Sequence, residues 1–446
     1  MSLMSPRSNL TRLLERTLGG SSETLQAEHS AATDLLVQAD AENKLRHKKM
    51  YLVLDLDETL VYTRRMQPGD ALKGHKIVVQ GKAFDVVLRP GLLQFLKVAT
   101  NHFIVYMYTM GDEEYTNAVL AIIDVERRLF TGGILCWRPS ESRLLKDLSR
   151  VVCDKRMALI VDDTIDVWQD DLANLFLIRR FVGDASDDGL QRLSWQLQHV
   201  HQAYFARVGK FSLDDAVYEP PDVREVLQSI RGSLLQGCHL ALTGVVPDQS
   251  EDTLDQQPLC VLLKLYGAQL TLDITEATHL VARKKDGWTK STKIRRALQR
   301  CQEDAKLHAV WDHWLLDSIV TWELQPERVY AIPDPSVDEA ADAPSSSLAA
   351  VNSAFVSEGL GGRLSEIIGG QGALGVLPTR KRARDPALAE QQVPSKESVA
   401  TKARMSVAQY LKQKETGVVG MAPRDCAGNA NEVSMLDQDD SVSGED

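Results

Sequence analysis

The run Tyr51-Leu-Val-Leu-Asp55-Leu-Asp57-Glu58-Thr59-Leu60 constrains this chain more than any other stretch. It reads as an apolar strand that ends in two aspartates, two residues apart, followed by a hydroxyl. Side chains alternate along a strand, so Asp55 and Asp57 leave its C-terminal end on the same side. In sheets of parallel strands that end is where ligands bind. Two carboxylates this close repel each other, and one titrates high unless a cation lies between them. The asymmetry suits phosphoryl transfer, in which one carboxylate attacks phosphorus and the other handles protons.

The surrounding sequence has the rhythm of strands alternating with helices. Strands are expected at Tyr51–Asp55, Ala83–Leu88, Phe103–Tyr108, Met157–Val161 and Asn174–Arg179. Helices are expected at Leu92–Ala99, Asp112–Ile123 and Ser140–Arg150, with Phe181–Ala203 helical beyond the last strand. This alternation argues for an α/β domain with a mainly parallel sheet covered by helices. Residues 1–48 form a polar N-terminal extension with weakly helical stretches around Leu10–Leu18 and Ala31–Leu45. The segment between Tyr62 and Ala83 is short and polar, which predicts no large cap over the strand ends. Pro220-Pro221 marks a break, a helix is expected at Val223–Leu235, and a smaller β/α unit starts at Cys238-His-Leu-Ala-Leu-Thr243-Gly244. After Pro333 small and charged residues dominate, the composition of a disordered tail.

At 446 residues the chain has room for two or three domains. The six cysteines, with no CxxC pair among them, form neither a disulfide framework nor a zinc site. No stretch has the roughly 18 consecutive apolar residues of a membrane helix, and no secretory signal is expected. A net charge of −11 argues against a general nucleic-acid binder.

Three further strand ends join the aspartate pair. Thr109 ends Phe103-Ile-Val-Tyr-Met-Tyr and precedes Gly111 and a helix start, where a hydroxyl beside backbone N–H groups can hold phosphate. Lys146, in Leu144-Leu-Lys146-Asp147, can neutralise charge on a transferring phosphoryl group. Asp162-Asp163 follows Ala158-Leu-Ile-Val161. With Asp55 and the Asp57 carbonyl it makes an all-oxygen set suited to Mg²⁺. Singly these are a strand-end threonine, a solvated lysine and a helix cap. Their order and their strand-end placement make them one constellation.

The Asp55-Leu-Asp57-Glu-Thr59 run, Phe84–Leu96 (FDVVLRPGLLQFL), Val105–Gly111 (VYMYTMG) and Met157–Trp168 (MALIVDDTIDVW) resemble the Fcp/Scp phosphatases of the haloacid dehalogenase superfamily. The Fcp-type enzymes act on the C-terminal repeat domain of RNA polymerase II. The resemblance covers about residues 40–185. It implies Asp55 as nucleophile, forming an aspartyl-phosphate, and Asp57 as general acid and then base. Thr109 and Lys146 would bind phosphate, with Asp55, Asp57 and Asp163 on Mg²⁺ and Asp162 in support. Thr59 and Arg89 would be the substrate-binding residues, Arg89 as the arginine of the Arg-Pro-Gly motif, which organises the site rather than reacting. Thr164 departs from the pattern, because many relatives carry arginine directly after the aspartate pair.

Val223–Gly244, Leu265-Tyr-Gly267-Ala268, Ala277-Thr-His-Leu-Val281 and Trp314-Leu-Leu-Asp-Ser318 resemble the BRCT domain of Fcp-type enzymes. In that likeness Thr243, Gly244 and Lys293 fall where some BRCT domains bind phosphoserine. The expected organisation is an extension (1–48), a phosphatase domain (49–185), a helical connector (186–228), a BRCT domain (229–332) and a disordered tail (333–446). The tail carries Arg380-Lys381-Arg382-Ala-Arg384, which reads as a nuclear-localisation patch. Its acidic end, Met435–Asp446, resembles the ends by which Fcp-type enzymes contact a general transcription factor. The function expected is Mg²⁺-dependent dephosphorylation of serine on the polymerase tail, in the nucleus, with no membrane and no direct nucleic-acid partner. Two other readings stay open at this point. One is a related phosphatase of another nuclear phosphoprotein or of a nucleic-acid end. The other is a catalytically idle phosphopeptide-binding scaffold, against which the intact Asp55, Asp57, Thr109, Lys146 and Asp163 set speaks.

Overall fold

Two parallel sheets and one small antiparallel sheet organise the protein, for which a computed structural model describes residues 22–138, 145–208, 220–247, 251–303 and 306–334. The tail with its basic patch and acidic end, and the Leu10–Leu18 stretch, lie outside the described residues.

The first sheet has five strands: β1 (Met50–Leu54), β5 (Phe103–Tyr108), β6 (Gly133–Leu135), β7 (Ala158–Asp162) and β8 (Leu175–Leu177). Their spatial order is β6-β5-β1-β7-β8, all parallel. Every residue of β1 is buried, as befits a central strand covered on both faces. Register pairs Leu54 with Met107 on one side and with Val161 on the other. Asp55, Tyr108 and Asp162 therefore reach the same sheet edge together. The chain fills one side of β1 first and then crosses to the other, so this edge is the topological switch point where ligand crevices form.

The covering helices follow from local sequence. Leu92–His102 buries Leu92, Phe95, Leu96 and Ala99, spaced three and four residues apart. Glu113–Ile123 is capped by Asp112, whose carboxylate accepts from the Tyr115 amide at 2.9 Å. The N-terminal helix Ser22–Arg46 packs on the core through Leu36, Ala41 and Leu45, and Asp40 accepts from the Tyr51 hydroxyl at 2.9 Å.

Two helix expectations are corrected, and the short segment from Tyr62 to Ala83 folds as a small sheet: β2 (Val61–Arg65), β3 (His75–Val79) and β4 (Lys82–Leu88) are antiparallel in the order β2-β4-β3. Gln80 and Gly81, both at positive φ, make the two-residue turn between β3 and β4. The described part of Ser140–Arg150 has no regular structure through Asp147 and then forms only a single 3₁₀ turn, Leu148–Arg150, because the Lys146 amide bonds Val167 O at 2.7 Å instead of a carbonyl one turn back. The helix expected from Phe181 begins at Gly189, after a turn in which Asp184 accepts from the Ser186 amide and hydroxyl.

The second domain is a four-stranded parallel sheet, β9 (His239–Thr243), β10 (Gln269–Leu270), β11 (His279–Ala282) and β12 (His308–Trp311), ordered β10-β9-β11-β12. Helices Pro258–Leu265, Thr292–Glu303 and Asp312–Thr321 cover it. This is the small α/β fold expected beside the catalytic sheet. A continuous apolar cluster joins the two domains, and within it Phe176 of β8 packs on Trp322 at 5.2 Å. Buried Arg231 donates to Leu175 O at 2.7 Å, and Gln196 donates to Val320 O at 2.9 Å. Among the described residues no helix is long and apolar enough to cross a membrane.

Candidate active site

Asp55 is the first residue beyond β1, fixed by its amide to Val161 O at 2.9 Å. Its Oδ1 accepts from Lys146 Nζ at 2.5 Å, and the same ammonium reaches Asp162 Oδ2 at 2.6 Å. Burial raises Asp55 well above the usual carboxylate range. Lys146 opposes that shift, while Asp162, Asp163 and Asp57 add to it. Burial would lower the Lys146 ammonium, but Asp162 and Asp55 outweigh it and hold the charge in place.

Asp162 serves as the seat for that lysine. Its Oδ2 also accepts from Trp168 Nε1 at 2.8 Å, and its Oδ1 accepts from the Thr164 amide at 2.8 Å. Both oxygens thus have protein partners. Asp163 is held differently: Thr59 Oγ1 donates to its Oδ1 at 3.3 Å, and Arg180 Nε donates to its Oδ2 at 2.8 Å. Arg180 Nε also lies 3.0 Å from Glu58 Oε2. Burial pushes Asp163 up to about 7, against Arg180 and with help from Asp162 and Glu58.

Asp57 lies one pleat beyond Asp55 and faces other partners. The Tyr115 hydroxyl donates to its Oδ1, and Thr109 Oγ1 donates to its Oδ2 at 3.3 Å. Thr109 is itself oriented by the Gly111 amide at 2.9 Å, and Tyr115 by a 2.7 Å bond with Thr63 Oγ1 of β2. The small antiparallel sheet thereby helps to set the catalytic geometry. Burial raises Asp57 to about 6, against the lowering hydrogen bonds from Tyr115 and Thr109.

Asp55, Asp57, Thr109, Lys146, Asp162 and Asp163 are therefore brought to one sheet edge. Thr59 and Arg89 belong to the support of the site and not to its substrate surface. Thr59 is fully buried against Asp163. Arg89 is buried and spends its guanidinium on Thr59 O at 3.0 Å, Arg179 O at 2.8 Å and Asp187 at 2.6 and 2.9 Å. A buried arginine with such partners fixes loops and has little left for a ligand. Sequence reasoning missed Tyr115, Glu58 and Arg180. Tyr115 stood in the open, in the first turn of the helix that follows Thr109. Arg180 had no local signal.

The carboxylates fit a cation. Asp55, Asp162 and Asp163 each offer an oxygen within 4.8 Å of the others. Four acids, Asp55, Asp162, Glu58 and Asp163, pair with two basic residues, Lys146 and Arg180, and a fifth, Asp57, is held by hydroxyls alone. An all-oxygen donor set with excess negative charge matches a hard divalent metal.

In the second domain Lys293 Nζ donates to Leu242 O at 2.8 Å and is half-buried, and burial lowers its pKa. Gly244, at φ +68°, lies closer to Lys285. The Thr243, Gly244 and Lys293 grouping thus has its lysine bonded to a backbone carbonyl.

Residues 50–207 match the NLI interacting factor-like phosphatase family. The chain carries a phosphatase domain of that family. Over 338 residues it is 27% identical to RNA polymerase II C-terminal domain phosphatase-like 4 of Arabidopsis thaliana, covering 67% of this chain and 73% of the relative. Over 341 residues it is 24% identical to RNA polymerase II C-terminal domain phosphatase-like 3 of the same plant, covering 66% of this chain but only 26% of that protein. The fold agrees with that of fission yeast Fcp1, an RNA polymerase II CTD phosphatase, in a beryllium fluoride complex. That likeness has a TM-score of 0.57 at 21% identity and covers 67% of this chain and all of the other. The phosphatase domain has the parallel-sheet α/β core of that enzyme, and the shared fold extends past residue 207.

Proposed function

We propose that this protein is a nuclear, Mg²⁺-dependent phosphoserine phosphatase that acts on the C-terminal domain of RNA polymerase II. The observation that carries the reading is the pairing at the end of β1. Asp55 sits against the Lys146 ammonium at 2.5 Å, while Asp57, two residues on, is held by two hydroxyls and raised to about 6. The Lys146 ammonium draws Asp55 towards the charged form that attack requires, against its burial, and the neighbouring Asp57 is set to carry a proton. The substrate is the one that the relatives are named for.

Asp55 would hold the metal together with Asp163 and the Asp57 carbonyl. A bound Mg²⁺ supplies charge neutralisation for an incoming phosphate dianion among these acids. Asp55 attacks phosphorus, and the bond from phosphorus to the serine Oγ breaks. Asp57 gives its proton to that Oγ. A water molecule then attacks the aspartyl-phosphate and passes a proton to Asp57. The bond between phosphorus and the Asp55 oxygen breaks, which restores the carboxylate and frees phosphate. Lys146 stays on the attacking side throughout, seated by Asp162 and Trp168. Tyr115 and Thr109 keep the Asp57 carboxyl facing the leaving oxygen. The test is turnover of singly phosphorylated polymerase-tail peptides with and without Mg²⁺. Comparable rates on unrelated phosphoserine peptides would detach the reading from the polymerase, and no turnover of any of them would end it.

A further inference from the structure

Lys146 and Arg180 are, among the described residues, the cations that bond the acids of the site, and they are placed very differently. Lys146 is buried, with Asp55 and Asp162 both on its ammonium. The Arg180 side chain remains 31% exposed. Its inner nitrogen, Nε, bonds Asp163 and Glu58, at 2.8 and 3.0 Å. The outer edge is nearly unused: Nη2 reaches Thr164 Oγ1 at 3.5 Å, and Nη1 has no hydrogen-bond partner among the described residues. A guanidinium pinned through Nε, with Nη1 unbonded and Nη2 in only a long contact, is a fork awaiting an anion.

The backbone that delivers this fork is fixed on three sides. Arg89 donates to Arg179 O at 2.8 Å, the Phe181 amide donates to Glu58 O at 2.7 Å, and the Arg179 side chain bonds Asp317. Glu58 is itself held at φ +61°, a conformation rare for a residue with a side chain, so the loop that meets Arg180 is over-determined. Thr164 leaves the position after the aspartate pair uncharged, and the Arg180 guanidinium abuts its hydroxyl from the loop after β8.

We infer that Arg180 is the second phosphate-binding cation of this site, presenting its Nη edge to the non-reacting oxygens of the phosphate held at Asp55. The inference rests on the reading of the chain as a phosphatase. It assigns a substrate contact to a residue that neither the motif nor the family resemblance marks. Arg180 binds phosphate in ground state and transition state alike, so its loss raises KM and weakens product inhibition while kcat changes less.

The experiment compares full-length wild type, R180M and T164R/R180M. Binding of inorganic phosphate is measured by calorimetry at saturating Mg²⁺, Mg²⁺ binding is measured separately, and p-nitrophenyl phosphate turnover is followed in parallel. R180M is expected to weaken phosphate binding and raise KM by about tenfold or more, in line with loss of a charged hydrogen-bonding partner. Its Mg²⁺ affinity should stay within about twofold of wild type, as for a residue whose main contact is the phosphate. T164R should recover part of the loss by returning a guanidinium to the same place. Phosphate affinity in R180M equal to wild type overturns the inference. So does a loss that disappears when Mg²⁺ is raised, which would make Arg180 only the counter-ion of Asp163. A double variant that recovers nothing overturns the placement beside Thr164. Phosphate binding is read directly, so a wild type that binds phosphate without hydrolysing esters would defeat the phosphatase reading and leave this one standing.

Discussion

The two parallel sheets bury charge in opposite ways. At the edge of the first, five acids meet two cations, and Asp55, Asp57 and Asp163 are all raised by burial. At the corresponding edge of the second, Arg283 and Asp312 form a buried pair at 3.2 Å, and at the opposite end of β11 His279 stacks on Trp314 at 4.6 Å. Matched charges of the second kind fix architecture, whereas an unmatched set has value only if something arrives to balance it. Excess buried charge of one sign is thus the mark that separates the chemical edge from the structural one.

The harshest test of that contrast is Asp55→Asn. The amide preserves shape but cannot attack phosphorus, so turnover should fall by about 10⁴-fold or more while the circular dichroism spectrum stays that of wild type. Retention of even a tenth of the activity would move the nucleophile elsewhere.

Asp163→Ala removes one acid from the unmatched set. It should raise the Mg²⁺ concentration needed for half-maximal activity by about tenfold or more, with excess Mg²⁺ restoring much of the rate. An unchanged Mg²⁺ dependence would exclude Asp163 as a ligand.

The sheets should also answer pH with opposite signs. Asp57 at about 6 and Asp163 at about 7 bind protons in the folded state that the unfolded chain, near pH 4, has released. Their contribution to stability is whole below about pH 4 and is lost as the pH rises towards about 7. Burial lowers His279 to about 4, so its contribution is whole above about pH 6.5 and is lost as the pH falls towards 4. Hydrogen exchange of the metal-free protein between these limits should show the catalytic sheet weakening upward in pH and the second sheet weakening downward. Mg²⁺ should remove the first slope only. Parallel slopes in both sheets would contradict the assignment of the unmatched acids.

The smallest effect is expected at Lys293. If the second domain docks a phosphorylated stretch of substrate, Lys293→Ala should raise KM on multiply phosphorylated peptides by about two- to threefold through lost tethering and leave p-nitrophenyl phosphate turnover alone. Equal KM values would make Lys293 a strut for Leu242, consistent with its present hydrogen bond.

Most of the catalytic sheet was legible because β1, β5 and β7 are apolar runs closed by a functional residue, and buried parallel strands look like that wherever they occur. The antiparallel sheet was less legible. The alternation in His75–Val79 is brief, and the Gln80-Gly81 turn that closes it lacks the Asn-Gly or Asp-Gly form that announces a hairpin. The segment around Lys146 was misread as helix because its leucines and charges have helical spacing, whereas a carbonyl from the loop after β7 claims the lysine's amide. Asp55, Asp57, Thr109 and Asp163 could be found because each ends a strand or belongs to a motif, and Lys146 because a lone cation between two such strands suits phosphoryl transfer whatever its local structure. Arg180 could not, since its role depends on β8 lying beside β7 and on a turn that carries it back over Thr164.

Arg179 and Arg180 are neighbours that face apart, one bonded to Asp317 of the second domain and the other to Asp163 of the active site. A single peptide unit therefore links the seat of the accessory domain to the mouth of the catalytic cleft. Excising that domain would do more than delete a docking module. It would unmoor Arg179, loosen the strand exit and let the adjacent guanidinium drift from its acids. Rates measured on a truncated catalytic fragment would then confound loss of recruitment with loss of alignment. Asp317→Asn in the intact chain separates the two, because it cuts the mooring and leaves the recruiting surface whole.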